Sequence, residues 1–100
     1  MVKAAETKPS ETPRKRVTVL FSGRGTNMAS LITASMASKY PAIITHAITN
    51  VPDAGGLKIA DFHKIPVSVI DHKEYETREK HEAALIAAID ATKPDLICLA

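Results

Sequence analysis

Apolar residues in this chain fall either into short continuous runs or at every third and fourth position, and the two patterns alternate. Residues 17–22, Val-Thr-Val-Leu-Phe-Ser, lack strict polar alternation, as expected of a parallel strand covered on both faces. Over residues 27–38, Met28, Leu31, Ile32 and Met36 make one apolar stripe, which predicts a helix. Tyr40-Pro41 ends it, because the residue before a proline is pushed out of helical geometry. Residues 43–49 predict a second strand, and Asn50-Val51-Pro52-Asp53-Ala54-Gly55-Gly56 has strong turn chemistry. A short helix at 57–64 leads to a third strand at 67–70, whose start accepts Pro66 because no ladder donor is needed there. After a loop at 71–76, residues 77–92 predict a longer helix with Leu85, Ala88 and Ile89 on one face, and the apolar residues 95–100 a fourth strand. The order β-α-β-α-β-α-β is that of an α/β fold with right-handed crossovers and a parallel sheet.

Composition sharpens this picture mainly at the ends. Residues 1–15, and most plainly 1–13, are rich in Lys, Glu, Thr, Ser and Pro with almost nothing to bury, and are expected to be a disordered tail. Lys3, Lys8, Arg14, Lys15 and Arg16 outweigh Glu6 and Glu11 by more than the whole chain's formal charge of +2, so the remainder is slightly acidic. No aromatic residue interleaves those cations, and a nucleic-acid partner is not expected. One cysteine, Cys98, cannot form an internal disulfide, and no apolar run reaches the roughly 18 residues of a membrane span. With no signal-peptide core either, the expected location is cytoplasmic, away from any membrane. Where a fourth loop should leave the sheet the sequence stops at Ala100, so the fold is expected to be incomplete at its carboxyl end and the chain a piece of a longer protein.

The chemistry concentrates where the first strand empties into Ser22-Gly23-Arg24-Gly25-Thr26-Asn27. Glycines allow positive φ and close backbone approach, and the first amides of a helix lack internal partners, so an anion fits such a turn. A dinucleotide fingerprint needs a third glycine at position 28 and an acidic residue ending the second strand; Met28 and Asn50 stand there, although Asp53 is close. A triphosphate loop needs four residues between its glycines followed by Lys-Ser/Thr, and no such lysine exists. The readings left are a purely structural turn and a cradle for one terminal phosphate, made by the amides of Gly25, Thr26 and Asn27 with a hydroxyl and a carboxamide.

Val19-Leu20-Phe21-Ser22-Gly23-Arg24-Gly25-Thr26-Asn27-Met28-Ala29-Ser30-Leu31-Ile32 resembles the amino terminus of the phosphoribosylglycinamide formyltransferase family, also called glycinamide ribonucleotide transformylases. Thr49-Asn50, Gly56-Leu57, Ile65-Pro66, Asp71-His72-Lys73, Thr77-Arg78-Glu79 and residues 93–100 follow in the family's order and nearly its spacing. The likeness covers residues 16–100, the amino-terminal half of a formyltransferase domain, and implies a Rossmann-like sheet ordered 3-2-1-4. It implies formyl transfer from 10-formyltetrahydrofolate to the amine of glycinamide ribonucleotide in purine synthesis. It implies further that Gly25, Thr26 and Asn27 hold the substrate phosphate and that Arg78 contacts the formyl-folate. Thr26 replaces the family's usual serine and keeps the hydroxyl; Arg24 occupies a variable position. The family's methionine-arginine folate loop and its asparagine-histidine-aspartate catalytic group follow the fourth strand and have no counterpart in residues 1–100, so no catalytic residue is assigned and the chain alone is expected to be inactive. Other classes compatible with the turn are a non-catalytic phosphometabolite-binding module and a divergent dinucleotide-binding domain.

The remaining polar residues have plainer readings. His46, His63, His72 and His81 lack metal-ligand spacing. His72 reads as part of a turn, and His81, one turn beyond Arg78, as a helix-face residue that could share its groove. Cys98 reads as a packed thiol. Glu74, Glu76, Glu79 and Glu82 suit the start of a solvated helix. Asn50, ending the second strand, is a candidate for closing the phosphate pocket.

Overall fold

The structure, a computed structural model, describes residues 14–37 and 39–100. The tail expected at residues 1–13 lies outside the described residues, as does Ser38; the first helix itself ends at Ser35, three residues short of its expected end. Strands β1 (Lys15–Phe21), β2 (Ala42–Thr49), β3 (Val67–Val69) and β4 (Leu96–Leu99) form one sheet ordered β3-β2-β1-β4. Every pairing is parallel, so the expected order 3-2-1-4 holds. Helices α1 (Thr26–Ser35), α2 (Gly56–Phe62) and α3 (Arg78–Thr92) fill the crossovers, and a 3₁₀ turn, His72–Glu74, precedes α3.

β1 opens at Lys15, already paired with Ala42, two residues ahead of the expected start. The Arg14 guanidinium donates to the carbonyls of Ser35 (2.7 Å) and Ala37 (3.0 Å) at the end of α1. That of Arg16 donates to the carbonyls of Thr92 (2.9 Å) and Lys93 (3.1 Å) at the end of α3. Each arginine thus places charge where a helix leaves carbonyls without partners. Arg14 and Lys15 therefore belong to the fold and not to the tail.

Alternation along β1 sorts the helices between the two faces of the sheet. Val17, Val19 and Phe21 point one way and share a core with Met28 and Ile32 of α1 and Ala60 of α2. Thr18 points the other way, fully buried, with its hydroxyl 2.7 Å from that of Thr92 in α3, which in turn donates to the Ile89 carbonyl at 2.7 Å. Register is continuous except for one bulge: Val17 pairs with Ile44 but Thr18 with His46, leaving Thr45 unpaired. The bulge allows Ile44 and Ala47, three positions apart, to face the same core. The Thr45 hydroxyl ties the bulge down by donating to the Val17 carbonyl at 3.3 Å.

Candidate functional site

The strand order reverses at β1, so the crevice of this sheet lies where β1 ends. Phe21 closes β1 in the core and the chain turns through residues 22–25 into α1. Gly25 is the N-cap of α1, at φ 83° and ψ 16°, with no side-chain capping bond, and no acidic residue stands in the first turn. The first helical bond runs from the Ala29 amide to the Gly25 carbonyl at 2.8 Å, so the amides of Thr26, Asn27 and Met28 stand before it. Thr26 and Asn27, which add a hydroxyl and a carboxamide to those amides, border a concavity of about 280 Å³ lined by residues 22–27 and Ala100.

Glycine at position 25 answers two constraints. Its φ is left-handed, and a Cβ there would stand 2.6 Å from the Gly56 Cα. Gly56 is held to the same closeness, since its Cβ would meet the Phe21 ring at 2.7 Å and the Gly25 Cα at 3.2 Å. Its amide donates to the Gly23 carbonyl at 3.1 Å. The start of α2 therefore clamps the turn, a role the Asn50–Gly56 segment did not reveal in sequence beyond its turn chemistry. Gly23 differs, for a Cβ there would meet nothing within 4 Å. Met28, at the position a dinucleotide fingerprint reserves for glycine, is fully buried in the core.

A second concavity of about 270 Å³ shares Ser22 and Ala100 with the first. Its floor is apolar, with Leu20 from β1, Ile48 from β2, Leu85 from α3 and Leu99 from β4; Asn50 and His81 supply polar atoms. Asn50 thus borders this space and not the turn itself. His81 is half-buried, with Nε2 2.9 Å from the Ile70 carbonyl oxygen and its ring against Tyr75, centroids 5.6 Å apart. That contact fastens the segment after β3 to α3, and the carboxyl-end position of Ile70 was its one sequence signal. His72 is exposed beside Asp71, whose carboxylate accepts the Lys73 amide at 3.0 Å, as its turn reading expects.

Arg78 is not brought to either concavity. It opens α3 behind the N-cap Thr77, its side chain is exposed, and its Nε donates to Glu82 at 3.2 Å. Lys80 and Glu76 make a similar exposed pair at 2.7 Å. Cys98 is half-buried in β4, paired in register with Val19. Among the described residues no group of three or more His, Cys, Asp or Glu side chains is placed to hold a metal, and no helix is long and apolar enough to cross a membrane.

Comparison with known proteins agrees with this geometry. The chain is 43% identical over 89 residues to the trifunctional purine biosynthetic protein adenosine-3 of Drosophila melanogaster, covering 87% of this chain and 7% of that protein. It is 35% identical over 86 residues to the phosphoribosylglycinamide formyltransferase of Haemophilus influenzae, covering 86% of this chain and 41% of that one. A solved phosphoribosylglycinamide formyltransferase from Brucella melitensis superposes with a TM-score of 0.84 at 42% identity, over 86% of this chain and 45% of its own. The chain thus spans less than half the length of the relatives it matches. Residues 15–100 match the family model described as formyl transferase, and the chain belongs to that family.

Proposed function

We propose that this chain is the substrate-phosphate-binding part of a cytosolic enzyme that transfers a formyl group from 10-formyltetrahydrofolate to the amine of glycinamide ribonucleotide. The observation that carries the reading is the uncapped start of α1 behind Gly25, at the carboxyl end of the central strand, in a chain whose relatives are named for that reaction. Gly25, Thr26 and Asn27 hold the phosphate by their amides, with the Thr26 hydroxyl as a further donor. The apolar concavity between this turn and His81 lies beside the phosphate site, where the reacting ends of the two substrates meet. Arg78, one helical turn before His81, contacts the folate, for which its guanidinium exchanges the exposed Glu82 carboxylate for the donor's own carboxylate.

The reaction joins the substrate amine to the formyl carbon, passes through a tetrahedral oxyanion, and breaks the bond to the folate N10 while the amine's proton moves to that nitrogen. It needs oxyanion stabilisation and proton transfer. Residues 14–100 provide binding and orientation in this scheme, and the proton-transfer groups belong to the remainder of the domain. The chain alone is therefore inactive in a formyl-transfer assay, yet binds the nucleotide.

Calorimetric titration with glycinamide ribonucleotide tests the reading. Binding weakened at least tenfold when the phosphate is removed from the ligand, and weakened again in Thr26→Ala, is the expected result. Equal affinity for the phosphorylated and phosphate-free forms sinks it, as does tight binding of NAD. A non-catalytic phosphometabolite-binding module shares the turn but not the reaction, so absence of formyl transfer by the complete protein would favour that class.

A further inference from the structure

We propose that Arg24 is a direct phosphate ligand that makes the turn selective for a phosphomonoester dianion; the proposal rests on reading the turn as the substrate-phosphate site. The first support is charge. A phosphomonoester carries close to two negative charges at neutral pH, whereas a helix N-terminus offers roughly half a positive one. The concavity bordered by residues 22–27 and Ala100 contains one ionisable side chain, that of Arg24, and neither Asp nor Glu among its lining residues. A guanidinium supplies the missing unit charge and two parallel N–H donors for oxygens that the amides leave over.

The second support is the way Arg24 is mounted. Its backbone is held from behind, where a Cβ on Gly55 would come within 3.2 Å of the Arg24 Cα, and the neighbouring Gly23 carbonyl accepts the Gly56 amide at 3.1 Å. Its side chain is exposed and makes no hydrogen bond or ion pair with another described residue. A rigid root with an uncommitted charged head is arranged for a ligand rather than for the fold. The third support is Gly23. Its backbone is not left-handed and a Cβ would find open space, so the fold places no demand for glycine beside Arg24, whereas close approach of a bulky anion does.

The experiment is calorimetry with glycinamide ribonucleotide and its phosphate-free nucleoside, on the wild-type protein and on Arg24→Gln, Arg24→Lys and Thr26→Ala, with thermal melts as a folding control. Arg24→Gln is expected to weaken nucleotide binding about tenfold, leave nucleoside binding and the melting temperature unchanged, and flatten the salt dependence. Arg24→Lys keeps the charge and loses the fork, for a weakening of about threefold. In the complete enzyme Arg24→Gln raises KM for the nucleotide with kcat unchanged, since the phosphate takes no part in the bonds made and broken and is bound alike in ground and transition states. Nucleotide binding within twofold of wild type in Arg24→Gln, with Thr26→Ala still weakened, overturns the role of Arg24 and leaves the phosphate site standing. A wild-type protein that does not prefer nucleotide to nucleoside overturns both.

Discussion

On one face of the sheet, α1 and α2 bury Met28, Ile32 and Ala60 against Val17, Val19 and Phe21, and none of the six is more than 3% exposed. On the other face, α3 buries Thr92 while Leu85 and Ile89 stay half-exposed and Ile86 is 58% exposed. The first face is a packed interior in which a change of one methylene is felt. The second is fastened at one end by the Thr18, Thr92 and Arg16 bonds and opens toward the carboxyl edge, where Leu85 and His81 border a concavity. The difference separates two tasks. The α1 and α2 face holds the glycine turn rigid, and the α3 face leaves room beside it.

Emptying the packed face has the largest expected effect. Met28→Ala removes a fully buried side chain and should lower the free energy of unfolding by about 2–5 kcal/mol, read from urea denaturation. Leu85→Ala, on the open face, removes a half-exposed side chain and should cost about 1 kcal/mol. Equal losses in the two variants would break the comparison, because they would mean that α3 carries as much of the core as α1.

Adding one methyl group where the packed face meets the turn comes next. In Gly56→Ala the new Cβ falls 2.7 Å from the Phe21 ring, which is held in the core, and 3.2 Å from the Gly25 Cα, which is backbone of the turn. A loss of about 1–3 kcal/mol is expected. Faster hydrogen exchange at the Gly56 and Ala29 amides, which donate to the Gly23 and Gly25 carbonyls, should accompany it, since the Gly56 bond to Gly23 also orders the turn. A Gly56→Ala protein with native stability and native exchange would show that the start of α2 does not clamp the turn.

The same contrast explains how much was legible in the sequence. Every strand and helix was, within three residues, because continuous and three-to-four spacing of apolar residues records which faces are covered. The turn was legible from Gly23 and Gly25, whose spacing is local. The bulge at Thr45 was not, because residues 42–49 read equally well as an unbroken strand and only the pairing with β1 distinguishes Ile44 from His46. Nor was the contact of Gly25 with Gly56, which joins two turns 31 positions apart, or the docking of Arg14 and Arg16 on helix ends, since in sequence both count only toward the basic excess at the amino end. Arg78 is the reverse case. Its family resemblance points to a ligand, while its position in the described residues is that of an exposed partner of Glu82.

The smallest effect on stability is expected at Gly23, and it separates fold from site. Gly25→Val is a poor probe of phosphate binding, because a Cβ at Gly25 is 2.6 Å from the Gly56 Cα and any loss of affinity could reflect a displaced turn. At Gly23 the Cβ meets nothing within 4 Å and φ is not left-handed, so Gly23→Ala should fold as wild type does or gain roughly 0.4–1 kcal/mol from a less flexible unfolded chain. Glycinamide ribonucleotide should nevertheless bind it several-fold more weakly than wild type, with the phosphate-free nucleoside unaffected, since the methyl group occupies the side from which the phosphate approaches. Unchanged nucleotide affinity in a normally folded Gly23→Ala protein would move the phosphate away from Gly23, toward the amides of Thr26 and Asn27 alone.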